Sequence, residues 1–97
     1  MTSKQRAYLR SLAVNIDTIM QLGKDGIGDN LIKTVSDALE ARELIKLNVL
    51  ENSGEDAYDL LQKLAAELGA EPVAVVGRKI VLYRASEKKP VIELPKK

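Results

Sequence analysis

Residues 18–50 read TIMQLGKDGIGDNLIKTVSDALEARELIKLNVL, and changes of apolar period along this stretch decide the fold. From Thr18 to Leu22, Ile19 and Gln21 alternate against Met20 and Leu22, the pattern of a short strand that stops at Gly23. From Gly28 to about Glu43, Leu31, Ile32, Val35, Ala38 and Leu39 recur at helical spacing, with Lys33, Asp37 and Glu40 opposite. Leu44 to Leu50 returns to period two, with Ile45, Leu47 and Val49 on one face and Lys46 and Asn48 on the other. Asn52-Ser53-Gly54 supplies the stop. Strands separated by a helix are expected to join one sheet.

Working outward, Thr2 with Gln5 fits a capping box, and the helix it opens sets Tyr8, Leu9 and Leu12 against Arg6 and Arg10, which are expected to face solvent. Ser53 with Asp56 fits a second capping box. Ala57, Leu60, Leu61, Leu64, Ala65 and Leu68 then mark a third helix, acidic outside and ended by Gly69. Pro72 to Val76 and Lys79 to Arg84 flank Gly77-Arg78 and read as a hairpin. Residues 85–97 hold Pro90, Pro95, four lysines and the isolated Val91, Ile92 and Leu94, so a mobile or loosely docked tail is expected. The predicted class is α/β, a compact αβαβαββ domain spanning residues 1–97 with a four-stranded mixed sheet.

Composition narrows the chemistry. A chain of 97 residues has room for one core, and 45% hydrophobic with 30% charged residues is a globular balance. Only 3% of residues are aromatic, so Leu, Ile, Val and Ala must fill the core and stacking surfaces for bases are scarce. The absence of cysteine and histidine removes disulfides, thiol nucleophiles, imidazole bases and nearly every zinc site. The expectation is therefore a non-catalytic protein without metal or cofactor. No apolar run is long enough to cross a bilayer, which predicts a cytoplasmic chain without membrane contact. The net charge of +1 hides an uneven distribution: +3 over residues 1–10, −5 over residues 51–71 and +4 over residues 76–89.

The segment that carries chemistry is Gly23-Lys24-Asp25-Gly26, a GxxG turn between strand and helix. A helix start offers unpaired N–H groups and the positive end of its dipole, and glycines let a phosphodiester backbone come close. The KH module grips nucleic-acid backbone with such a loop. The same two glycines could equally serve turn geometry alone. The spacing through Gly28 is GxxGxG rather than the dinucleotide GxGxxG, and no Gly-Lys-Ser or Gly-Lys-Thr phosphate loop occurs. Arg6 and Arg10 lie one turn apart, suited to successive phosphates although charged faces usually serve solvation. Arg42 is expected to serve the end of the second helix. Glu51, Glu55, Asp56 and Asp59 lack calcium-loop spacing and suit a helix start instead.

Taken together, Lys4-Gln5-Arg6, Tyr8-Leu9-Arg10, the Gly23–Gly26 loop, the run from Ala38 to Lys46, Ile80 to Arg84 and Ile92-Glu93-Leu94-Pro95 resemble the YhbY family of single-domain CRM proteins. The resemblance implies a fold similar to the C-terminal domain of bacterial translation initiation factor three. It also implies RNA binding through Gly23, Lys24, Asp25, Gly26 and a neighbouring basic surface to which Lys4, Arg6, Arg10, Lys46 and Arg84 are candidates. Stand-alone bacterial members resemble maturation factors of the large ribosomal subunit, so the expected partner is ribosomal RNA in large-subunit precursors. The expected chain is monomeric and takes no small-molecule substrate. One departure is Gly28-Asp29, where a better-capping serine or threonine is expected. The rival reading is a ribosome-associated protein-interaction module using the acidic third helix or the tail.

Overall fold

The computed structural model describes residues 1–23, 27–51, 54 and 56–95. Its elements run α1 (Ser3–Ala13), β1 (Thr18–Leu22), α2 (Asp29–Arg42), β2 (Leu44–Val49), α3 (Ala57–Leu68), β3 (Glu71–Val76) and β4 (Lys79–Tyr83). The αβαβαββ order and the four-stranded mixed sheet match the expectation. The sheet order is β1-β2-β4-β3, with β1 parallel to β2 and the other pairs antiparallel.

Alternation along β2 divides the molecule into layers. Ile45, Leu47 and Val49 join Ile80 and Leu82 of β4 under α2 and α3, where Val35, Leu39, Leu61 and Leu64 are almost fully buried. Each such side chain contributes roughly 1.5–3 kcal/mol of burial. On the opposite face Leu44, Val73, Val81 and Tyr83 pack against Leu9 and Ala13 of α1.

Local chemistry explains the element ends. Thr2 and Gln5 form the expected capping box, with the Thr2 hydroxyl accepting from the Gln5 N–H at 3.1 Å and the Gln5 amide oxygen accepting from the Thr2 N–H at 3.0 Å. At α3 the expectation needs correction: Asp56, not Ser53, is the N-cap, and its carboxylate accepts from the Asp59 N–H. Ser53 lies outside the described residues. The strict alternation read for β1 also fails. A register shift between Thr18 and Met20 lets Ile19 pack beside Met20 against the α2–α3 core, as a bulge does. Gly77 takes φ 62° at the β3–β4 turn, as the hairpin reading requires.

Residues 85–95 depart most from expectation. Instead of trailing loosely, they form a strap held by two carboxylates at the end of α2. Glu43 is buried with φ 66°, and its carboxylate accepts from the Ser86, Val91 and Ile92 N–H groups at 2.8, 2.7 and 2.8 Å. Glu40 accepts from the Ser86 hydroxyl and the Glu87 and Lys88 N–H groups. Ile92 and Leu94 then pack on the α1 core, and the Gln5 side chain donates to the Pro95 carbonyl at 3.1 Å.

Both carboxyls sit below the ordinary glutamate range. For Glu43, burial pushes upward but the N–H groups of Ile92, Ser86 and Val91 outweigh it. For Glu40 the Ser86 hydroxyl and Glu87 N–H dominate. The Tyr83 hydroxyl moves up, first through burial and then through the Glu43 charge. A depressed carboxyl stabilises the fold above its unfolded pKa of about 4.3 and loses that contribution as pH falls through the folded value. Strap release measured by amide exchange should therefore rise below about pH 4. Glu43→Gln, which turns an amide donor toward a backbone N–H, should cost about 1–3 kcal/mol in urea unfolding.

Candidate nucleic-acid interface

The loop that separates β1 from α2 springs from the end of the sheet where three connections are tied together. Leu50 N–H donates to the Leu22 carbonyl at 2.9 Å and Val49 N–H to the Arg78 carbonyl at 2.7 Å. The Arg78 guanidinium returns two bonds, to the Val49 carbonyl at 3.0 Å and the Leu50 carbonyl at 2.7 Å. Gly23 follows directly from this clamp. Lys24, Asp25 and Gly26 lie outside the described residues, so the structure addresses the loop only through its flanks.

Those flanks are informative. Among the described residues, a Cβ at Gly23 would meet only the Leu50 Cδ1 atom at 3.7 Å, an ordinary contact, and Gly23 does not have a positive φ. Neither the φ of Gly23 nor packing against the described residues demands glycine there. Gly28 is the N-cap of α2 with extended backbone, makes no side-chain capping bond, and a Cβ added to it would meet nothing within 4 Å among the described residues. The N-cap residue thus supplies no side-chain acceptor to the first N–H groups of α2.

The α1 face of the sheet is only partly covered. Pairing aligns Thr18, Lys46, Val81 and Ala74 across the sheet in one row, and Gln21, Asn48, Lys79 and Val76 in the next row toward Gly23. The C-terminal end of α1 borders these rows and leaves a groove of about 340 Å³. Its lining joins the basic Arg10, Lys46 and Lys79 to an aliphatic floor made by Ala13, Val14, Ala74, Val76 and Val81. Among the described residues no acid lines it, although the chain's net charge is only +1.

The cations divide by what they already hold. Arg84, a sequence candidate, spends its guanidinium on the Leu68 carbonyl at 3.0 Å, the Ser36 carbonyl at 2.9 Å and the Ser36 hydroxyl at 3.0 Å, joining β4 to α2 and α3. Arg78 is spent on the β2 end. Arg10, Lys46 and Lys79 have no hydrogen bond or ion pair among the described residues. Arg6 is half-buried rather than facing solvent, and lines a separate depression with Tyr58, Pro72 and Val75. Lys4 is exposed on the first turn of α1, away from the groove lining. The structure thus joins Arg10 and Lys46 and adds Lys79. Its register was legible in the sequence, since Lys79 falls two residues before Val81 on the same face, but β4 had to be paired with β2 to show it.

Among the described residues no cluster of acids able to hold a metal ion occurs, and no helix is long and apolar enough to cross a membrane.

With this geometry in view, comparison with known proteins is decisive: residues 1–84 match the CRS1 / YhbY (CRM) domain. The chain belongs to that family. It is 45% identical over 95 residues to the probable RNA-binding protein YqeI of Bacillus subtilis, covering 98% of this chain and 99% of that one. It is 38% identical over 101 residues to the probable RNA-binding protein MJ0652 of Methanocaldococcus jannaschii, covering all of this chain and 75% of the relative. The solution structure of the hypothetical protein SAV1595 from Staphylococcus aureus, described as a candidate RNA-binding protein, superposes with a TM-score of 0.82 at 50% identity. That match covers 98% of this chain and 99% of the other. The CRM domain here fits RNA binding, the property its relatives' names carry.

The division of cations predicts opposite phenotypes. Arg84→Ala should lower stability by roughly 1–3 kcal/mol, because it strands backbone carbonyls, when measured by denaturant unfolding. Lys79→Ala should leave stability within about 0.5 kcal/mol.

Proposed function

We propose that this CRM chain is a non-catalytic ribosome-assembly factor of the cytoplasm, monomeric, that binds ribosomal RNA in large-subunit precursors. In this reading Gly23 and Gly26 let the phosphodiester backbone approach the start of α2, Lys24 supplies a mobile charge, and Asp25 limits it. Arg10, Lys46 and Lys79 continue the phosphate track along the open sheet face, with Lys4 and Arg6 at its periphery. The observation that carries the proposal is a basic groove whose described lining holds no acid, on a sheet that leads at its β1 edge to Gly23, a glycine required neither by its own φ nor by packing against the described residues. Phosphates need close approach and positive charge, and both meet at this end of the sheet.

The rival protein-interaction reading loses part of its surface, because Ile92 and Leu94 of the strap already pack on the α1 core.

Affinity for a large-subunit ribosomal RNA fragment should fall steeply with salt and depend little on sequence. Lys24→Ala and Gly23→Ala should each weaken binding about three- to tenfold at unchanged stability, and the lysine variant should also flatten the logarithmic salt slope by about 0.7–0.9. In cells, crosslinking and sequencing should enrich large-subunit ribosomal RNA for the wild type and lose it for a folded Gly26→Asp variant. Equal crosslinking by both would remove the loop from the interface.

A further inference from the structure

The groove on the α1 face offers more than positive charge. Its lining joins three cations to an aliphatic floor. Val14 and Val76 on that floor are 76% and 68% exposed, so neither contributes much to the core. A phosphate alone gains nothing from such a floor, and an apolar ligand alone gains nothing from three cations. A ligand that joins a flat apolar ring to an anionic backbone uses both. A volume near 340 Å³ lies within the range of about 300–1,000 Å³ typical of small-ligand sites.

We propose that the groove receives the base of an unpaired nucleotide, so that the RNA this protein prefers carries a bulge or single-stranded step next to its helical part. The base lies on Val14, Val76 and Val81, the planar Arg10 guanidinium covers its outer face, and Lys46 and Lys79 hold the adjoining phosphates. Arginine suits the covering role because its plane stacks on bases as an aromatic ring does. That matters here because Tyr83 is buried and neither Tyr8 nor Tyr58 lines the groove. Paired bases cannot enter, since an A-form helix keeps its ring faces inside the stack. The contact is aliphatic and without aimed side-chain amides on the floor, so it selects for unpaired structure more than for base identity.

This inference rests on RNA binding by the same surface, and the test separates the two. The probes are a blunt RNA duplex and the same duplex with a bulge of unpaired adenosines, titrated into the full chain while valine methyl signals are followed by NMR and affinity by fluorescence anisotropy. The bulged duplex should bind about tenfold more tightly, with ring-current shifts at Val14 and Val76. Val76→Thr, an exposed and nearly isosteric change, should remove most of that preference while leaving blunt-duplex affinity unchanged. Arg10→Lys, which keeps the charge and loses the plane, should lower the ratio of bulged to blunt affinity, the readout that a phosphate contact alone would not move. Equal affinity for both duplexes with silent valine methyls would overturn the base site and leave phosphate binding standing. Binding of neither duplex would overturn both readings.

Discussion

Lys46 and Asn48 occupy a strand paired on both sides, and this placement constrains everything above that face of the sheet. Covering an unpaired ammonium with an apolar helix would cost several kcal/mol. The α1 layer therefore seals only the part of the sheet where Leu44, Tyr83, Val73 and Val81 offer apolar side chains, and its buried residues end at Ala13. The remaining rows stay open to solvent. The groove is thus a direct consequence of polar residues at alternate positions of a central strand.

Half-covering a sheet leaves little apolar area on that side, and the strap compensates. Ile92 and Leu94 complete the α1 layer, but a segment without regular structure has N–H groups that no ladder satisfies. Glu43 and Glu40 satisfy several of them. The unusual backbone at Glu43 belongs to the same arrangement. Its φ of 66° ends α2 abruptly, starts β2 one residue later, and aims the carboxylate at the strap. Arg84 works at the opposite side of the sheet, closing the α2–α3 layer through backbone carbonyls. Two charged groups that sequence inspection assigns to surfaces are thereby spent on holding layers together.

What the sequence shows and what it hides follow from the range of the forces involved. Apolar period, glycine stops and the Thr2–Gln5 box are local, so element order and the α2–α3 core face were legible, whereas the place of α1 on the other face of the sheet was not. The bulge at Ile19 depends on which strand lies alongside, and the strap depends on a carboxylate more than forty residues upstream. Neither leaves a local mark. Among the proposed binding residues, Arg10 and Lys46 could be nominated from charge and alternation, but their meeting with Lys79 required the β2–β4 register. Arg84 shows the converse: a cation in a basic segment gives no local sign that backbone carbonyls already hold it.

A net charge of +1 is no obstacle to nucleic-acid binding when the charges are segregated by layer. The acids of α3 lie on the α2–α3 side, where they cap and solvate a helix, whereas the cations of the groove lie across the sheet. With a Debye length of about 8 Å at physiological salt, a phosphate placed at the groove as proposed would sense mainly Arg10, Lys46 and Lys79. The acidic layer instead repels backbone that approaches from the wrong side. In the proposed binding mode, segregation would orient the chain on RNA as well as attract it, without the excess positive charge that favours indiscriminate binding.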